Sequence, residues 1–134
     1  MILNQISVFL ENKPGKLLTI IRFLADNQID LDAMSIAETL DYGILRIVVR
    51  DPEKTARLIR EAGWSCKITP VLAVQVPDAP GSLTCILKVL AESGINLLYS
   101  YAFLSRVQGH ACIVLRTEDS AKAEQVLNEA GIPC

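Results

Sequence analysis

The stretch ENKPGKLLTIIRFLADNQIDL, from Glu11 to Leu31, returns as PDAPGSLTCILKVLAESGINL, from Pro77 to Leu97. The step is 66 residues: it pairs Pro14 with Pro80, Gly15 with Gly81, Leu17 with Leu83, Leu24 with Leu90, Ile29 with Ile95 and Leu31 with Leu97. Carried forward, the same step pairs Gly43 with Gly109, Val48 with Val114 and Arg50 with Arg116. A period this long exceeds one solenoid turn or propeller blade and is enough for a small domain. The chain therefore reads as a duplication, with a first domain over residues 1–70 and a second over 71–134.

Within each copy the hydrophobic period switches between two and about 3.6. NQISVFL places Ile6, Val8 and Leu10 on one face of a strand. In the KPG that follows, Asn12 suits a helix cap or a closed turn, and the fixed φ of proline suits the first turn of a helix. Leu17, Ile21, Leu24 and Gln28 recur at steps of three and four, Leu18 and Ala25 widen the apolar stripe, and DNQ ends the helix. IDLDAMSIAET alternates Ile29, Leu31 and Ala33 against Asp30, Asp32 and Met34, the pattern of a second strand with one wetter face. LDYG turns into the β-branched strand ILRIVVR. DPEKTARLIREAG sets Asp51 at an N-cap, Pro52 at N1 and Gly63 at the end of a second helix. WSCKITPVLAVQV is extended again, with Pro70 at the switch between copies.

The second copy repeats this order through EDSAKAEQVLNEAG and then reads IPC, so its fourth strand is expected to be short or missing. The order β-α-β-β-α-β is the ferredoxin-like split βαβ. It predicts an α+β fold of two tandem units, each an antiparallel sheet with both helices on one face and the other face partly wet. In this topology the missing strand borders VLAVQV. An open apolar edge invites aggregation, so the other copy, a second chain or a stub at Ile132 to Cys134 is expected to cover it.

Several function classes drop out. The formal net charge is −2. Nine Lys/Arg meet nine Asp/Glu up to Pro70, and four meet six beyond it, so neither half carries the basic stripe that nucleic-acid binding needs. No apolar run approaches the roughly 18 residues of a membrane span. MILNQISVFLENK has no basic leader and no small-residue cleavage site, which sets the expectation of a cytoplasmic protein. Cys66, Cys85, Cys112 and Cys134 form no C-x-x-C pair and read as free thiols rather than zinc ligands. His110, the one histidine, shares a strand face with Cys112 but has neither a third ligand nor an acidic orienter in sequence. PGKLL lacks the glycine spacing of a phosphate loop. Asp30 and Asp32 read as a solvent face rather than paired catalytic carboxylates. Tyr99 and Tyr101 suit packing or the lining of a pocket. No catalytic residue, metal or cofactor is expected, and the function class is binding.

The element order, with Asn/Asp-x-Pro-Gly at the strand-to-helix turn and GIN(I/L) opening the second strand, resembles the ACT domain, twice over and across essentially the whole chain. DAPGSLTCILKVLAESGINL follows that pattern almost throughout. The first copy departs at NQIDL, where Asp30 replaces the asparagine. The resemblance implies a small-molecule sensor, commonly for an amino acid, and a regulated enzyme in another chain. It implies a ligand between ACT units, held by the turn of one and the second strand of another. By motif position the turns are Asn12, Lys13, Pro14 and Gly15, and Asp78, Ala79, Pro80 and Gly81. Facing them would be Ile29, Asp30 and Leu31, or Ile95, Asn96 and Leu97. Glycine lets the backbone approach a ligand closely, first-turn N–H groups attract a carboxylate, and the acids suit an ammonium group. Asn12 and Asp78 serve equally well as turn caps. The family habit of pairing, with the partly wet sheet or helix faces, predicts a homodimer. Two other readings stand beside the sensor: a ligand-free structural dimerisation module, and a small enzyme on a ferredoxin-like scaffold.

Overall fold

The computed structural model describes residues 1–105 and 107–132. In chain order the elements are β1 (Ile2–Glu11), α1 (Lys16–Asp26), β2 (Ala33–Glu38), β3 (Tyr42–Val48), α2 (Pro52–Glu61), β4 (Cys66–Pro77), α3 (Ser82–Glu92), β5 (Leu97–Ala102), β6 (His110–Thr117) and α4 (Ser120–Glu129). The chain divides into two compact units, Asn4–Thr69, and Met1–Leu3 together with the chain from Pro70 onward. The division falls inside β1 and β4, so each of these strands serves both units.

The first unit orders its strands β2-β3-β1-β4. Antiparallel register sets Ile6 opposite Ile47 and Val8 opposite Leu45, and sets Met34 opposite Ile47 and Ile36 opposite Leu45. Residues two apart share a face, so Ile6, Val8, Leu10, Leu45 and Ile47 form one apolar surface. Ile20 and Leu24 of α1, with Ala56 and Ile59 of α2, bury it. The deepest line on α1 is thus Ile20 and Leu24, while Leu17 and Ile21 pack at its margin. Gln28, expected on the helical stripe, lies beyond the end of α1. The fourth strand closes on β1 where Phe9 N–H donates to the Ser65 carbonyl at 3.0 Å. The indole of Trp64 lies 5.1 Å from the Phe23 ring. On the opposite face Gln5 and Ser7 are buried rather than wet, and Gln5 Nε2 donates to Ser7 Oγ at 3.1 Å.

The second unit orders its strands β4-β6-β5, with Leu72 opposite Leu115 and Val74 opposite Ile113. Ile86 and Leu90 of α3 and Ala123 and Leu127 of α4 cover the face made by Leu72, Val74, Val76 and Leu115. Its border at β4 is covered by residues Met1–Leu3, which belong to this unit. Ala73 N–H donates to the Met1 carbonyl at 2.8 Å, and the Met1 amine donates to the Ala73 carbonyl at 3.3 Å. The expected stub at Ile132 to Cys134 falls partly outside the described residues, which exclude Pro133 and Cys134. Ile132 N–H closes the end of α4 on the Leu127 carbonyl at 2.9 Å.

Two expectations need correction. The second strand of each copy starts later than its alternation suggested: Ile29 to Asp32 form a link before β2, and Ile95 and Asn96 a link before β5. The cause is helix closure, since Ile29 N–H reaches back to Leu24 O at 2.9 Å and Ile95 N–H to Leu90 O at 2.8 Å. The step of 66 also does not run through the whole copy. Ile6 and Leu72 are 66 apart, yet their partners Ile47 and Leu115 are 68 apart. The β5–β6 hairpin is two residues longer than the β2–β3 hairpin. Beyond it Gly43 corresponds to Ala111, Val48 to Arg116 and Arg50 to Glu118, replacing the pairings at 66.

Candidate functional site

The two Pro-Gly turns share one construction. Lys16 N–H donates to the Lys13 carbonyl and Ser82 N–H to the Ala79 carbonyl, both at 3.3 Å. Gly15 has φ 85°, ψ −11°, and Gly81 has φ 85°, ψ −7°. This is the third position of a type II turn, which demands positive φ there and favours proline just before. Pro14 and Pro80 accordingly stand two residues ahead of α1 and α3 instead of inside the first helical turn, and the glycines are the N-cap residues.

Neither helix takes a side-chain cap. Asn12 points its bonds at the β2–β3 hairpin instead: its N–H donates to Asp41 O at 3.0 Å and its Nδ2 to Thr39 O at 3.4 Å. Asp78 N–H donates to Gly109 O at 2.9 Å, pinning the second turn to the β5–β6 hairpin. A Cβ built on Gly15 or Gly81 meets no heavy atom within 4 Å, so space is open in front of both turns. All eight residues from Asn12 to Gly15 and Asp78 to Gly81 are exposed. Lys13 Nζ lies 3.0 Å from Glu11, and its hydrogen bond and charge, with the charge of Lys16, hold the Glu11 carboxyl below the usual range.

A cleft of about 390 Å³ opens beside the second turn, where Pro77 and Ser82 flank it and Gln75, Cys85, Ile86 and His110 line it. The residues expected to face the turn of another unit stand apart from the turn of their own. Eleven residues of α1, about 16 Å of helix, separate Gly15 from the link that carries Asp30. Leu31 and Leu97 pack against their cores, and Asn96 is exposed on its link. Asp30 lines a different cleft, of about 420 Å³, with Asp32, Arg50, Lys54 and Thr55. That grouping was not legible in the sequence, because Asp30 and Arg50 meet only through the fold. His110 Nδ1 contacts the Gln108 carbonyl at 3.4 Å. Among the described residues no group of three or more His, Cys, Asp or Glu is placed to hold a metal ion. Tyr99 and Tyr101 stack, with ring centroids 6.4 Å apart.

The fold and turns define a tandem pair of ferredoxin-like units with an open Pro-Gly turn in each. The sequence matches the family model of the ACT domain pair over residues 1–132, and the chain belongs to that family. It is similar to protein BT0572 from Bacteroides thetaiotaomicron, at 34% identity and TM-score 0.91, over 99% of this chain and 91% of that one. The fold is also similar to the ligand-free regulatory subunit of aspartate kinase from Thermus thermophilus (14% identity, TM-score 0.68, 95% of this chain and 91% of that one). The corresponding subunit from Thermus flavus is similar as well (15% identity, TM-score 0.61, 96% and 92%). No curated protein matches the sequence. Among the described residues no helix is long and apolar enough to cross a membrane.

Proposed function

We propose that this ACT pair is a cytoplasmic, non-catalytic regulatory protein that binds a free amino acid and acts on a separate catalytic chain. The carrying observation is the Asp78–Gly81 turn: α3 has no side-chain cap, the space before Gly81 is open, and the cleft at Pro77 and Ser82 begins beside it. About 390 Å³ falls within the range of roughly 300–1,000 Å³ typical of small-molecule pockets. The ligand carboxylate takes the Leu83 N–H in the first turn of α3, helped by the helix dipole, since the Ser82 and Thr84 N–H groups bond the Ala79 and Gly81 carbonyls at 3.3 and 3.0 Å. Asp78 meets the ammonium, while Ala79 and Pro80 shape the turn. Asn96 and Leu97, or Asp30 and Leu31, close the site from a second copy of the chain. Asn12, Lys13, Pro14 and Gly15 offer the same frame in the first copy, with Lys13 already paired to Glu11. The shared fold with two regulatory subunits of aspartate kinase agrees with a regulatory role.

Calorimetric titration with the common amino acids is the test. One of them is expected to bind at millimolar concentration or below, and Asp78→Ala to weaken it about 5- to 150-fold, the span of a lost charged hydrogen bond. If none binds, the structural dimerisation module replaces the sensor. Equal binding by wild type and variant would place the site elsewhere.

A further inference from the structure

We infer that the cleft beside the second turn sorts ligands by side chain, taking one that is aliphatic and uncharged, and that only the second unit of each chain offers such a cleft. This rests on the turn site at Asp78–Gly81 and adds what that site selects. The turn itself meets the head group that all amino acids share. The cleft extends past it, with walls from β4 (Val76, Pro77), α3 (Ser82, Cys85, Ile86), the first residue of β6 (His110) and the chain beyond α4 (Gly131, Ile132).

The first copy shows that the fold does not dictate these walls. The two helix ends correspond at a step of 68, since Trp64 N–H donates to Ile59 O at 3.2 Å as Ile132 N–H does to Leu127 O at 2.9 Å. Ile132 therefore stands where the first copy has Trp64, which packs on its core together with Cys66 and Ile68. A large side chain has given way to a smaller one at the wall of the cleft. Strand register likewise sets His110, opposite Pro77, in the place of Tyr42, opposite Glu11.

Charge is the second contrast. Pro77 and Ser82 flank the cleft, and at the step of 66 they replace Glu11 and Lys16. The first turn is thus flanked by charges, and Glu11 is in an ion pair with Lys13 at 3.0 Å. None of the described residues lining the second cleft is Asp, Glu, Lys or Arg. A charged side chain entering it would leave water without meeting a counter-charge, which is costly. An aliphatic side chain gains instead, because Val76, Ile86 and Ile132 all pack in the core of this unit. Gln75, which also lines the cleft, and His110 are exposed and keep their hydration.

Calorimetric titration of the full chain with leucine, isoleucine, valine, glycine, lysine, aspartate and glutamate tests the inference. At least one aliphatic amino acid is expected to bind about tenfold or more tightly than glycine and the three charged ones, with one site per chain. Ile132→Trp, which installs the residue of the first copy, should remove that preference while the urea midpoint stays near wild type. Ser82→Lys, also the residue of the first copy, should shift the preference toward aspartate or glutamate. The inference falls if glycine or a charged amino acid binds as tightly as the aliphatic ones, if two aliphatic ligands bind per chain, or if both variants keep the wild-type preference. If the preference is absent while Asp78→Ala still weakens binding, the selectivity is refuted and the turn site stands. If Ile132→Trp abolishes the preference while Asp78→Ala binds like wild type, the cleft stands and the turn contact is refuted. Absence of binding by every amino acid would overturn both.

Discussion

Gln28 sits at φ 60°, the one described residue other than glycine with positive φ. It occupies the position just past α1 where Gln28 N–H bonds Ala25 O at 3.0 Å and Ile29 N–H bonds Leu24 O at 2.9 Å, a Schellman closure. Gly94, at φ 69°, makes the same two bonds after α3. A Cβ in this conformation costs roughly 1–2 kcal/mol. Gln28→Gly is therefore expected to raise the urea midpoint by an amount worth about 1 kcal/mol; an unchanged midpoint would mean that the side chain contributes as much as its backbone costs. Thr117 is the second residue out of step with its surroundings. It is fully buried and its hydroxyl has no partner among the described residues, while Val49 holds the corresponding place in the first copy. Thr117→Val keeps the shape and removes an unsatisfied group, so equilibrium unfolding should show a gain of about 1–3 kcal/mol. The contrast of NQIDL with SGINL is visible in the sequence. That the first contrast bears on a backbone angle is not, because the angle is imposed by the helix end.

At the scale of elements, local chemistry was the most readable. Asp51 and Asp119 cap α2 and α4 through the N–H groups of Lys54 at 3.2 Å and Lys122 at 3.0 Å. Asp51→Ala should lower unfolding free energy by about 1 kcal/mol, read from a denaturant series, with little change in ligand-independent spectra. The Pro-Gly pairs marked the strand-to-helix turns, and the structure makes each a type II turn that ends just before the helix rather than a first helical turn. Thiol chemistry also follows element position. Burial pushes the Cys66 and Cys112 thiols up, the nearby Arg60 opposing this at Cys66, whereas Cys85 is exposed on α3. Iodoacetamide at mildly alkaline pH should label Cys85 before Cys66 and Cys112, as mass spectrometry would resolve; equal rates would refute the burial argument. Because the folded thiols hold their protons more tightly than the unfolded chain, their contribution to stability is intact below the unfolded thiol pKa. It is lost as pH rises through the folded value.

At the scale of the whole molecule, residues Met1–Leu3 complete a unit whose remaining residues begin at Pro70. Deleting these three residues removes both Met1–Ala73 hydrogen bonds and opens the β4 edge at Ala73. The shortened chain should aggregate at concentrations where the full chain stays clear, as light scattering would show. A full-length chain of strictly monomeric mass at micromolar concentration would refute the proposed homodimer.

The sequence by itself determined the duplication, the order of strands and helices, the caps at Asp51 and Asp119, and the Pro-Gly turns. Each of these is written in the period of apolar residues or in the chemistry of a few neighbours along the chain. Only the tertiary structure decided which segment borders β4, where β2 and β5 begin, and that Asp30 shares a cleft with Arg50 and Thr55. Those outcomes rest on hydrogen bonds and packing between residues far apart in the chain. The two-residue growth of one hairpin shifts every later correspondence from 66 to 68 without altering either local pattern. Register is a property of paired strands, and no single strand carries it.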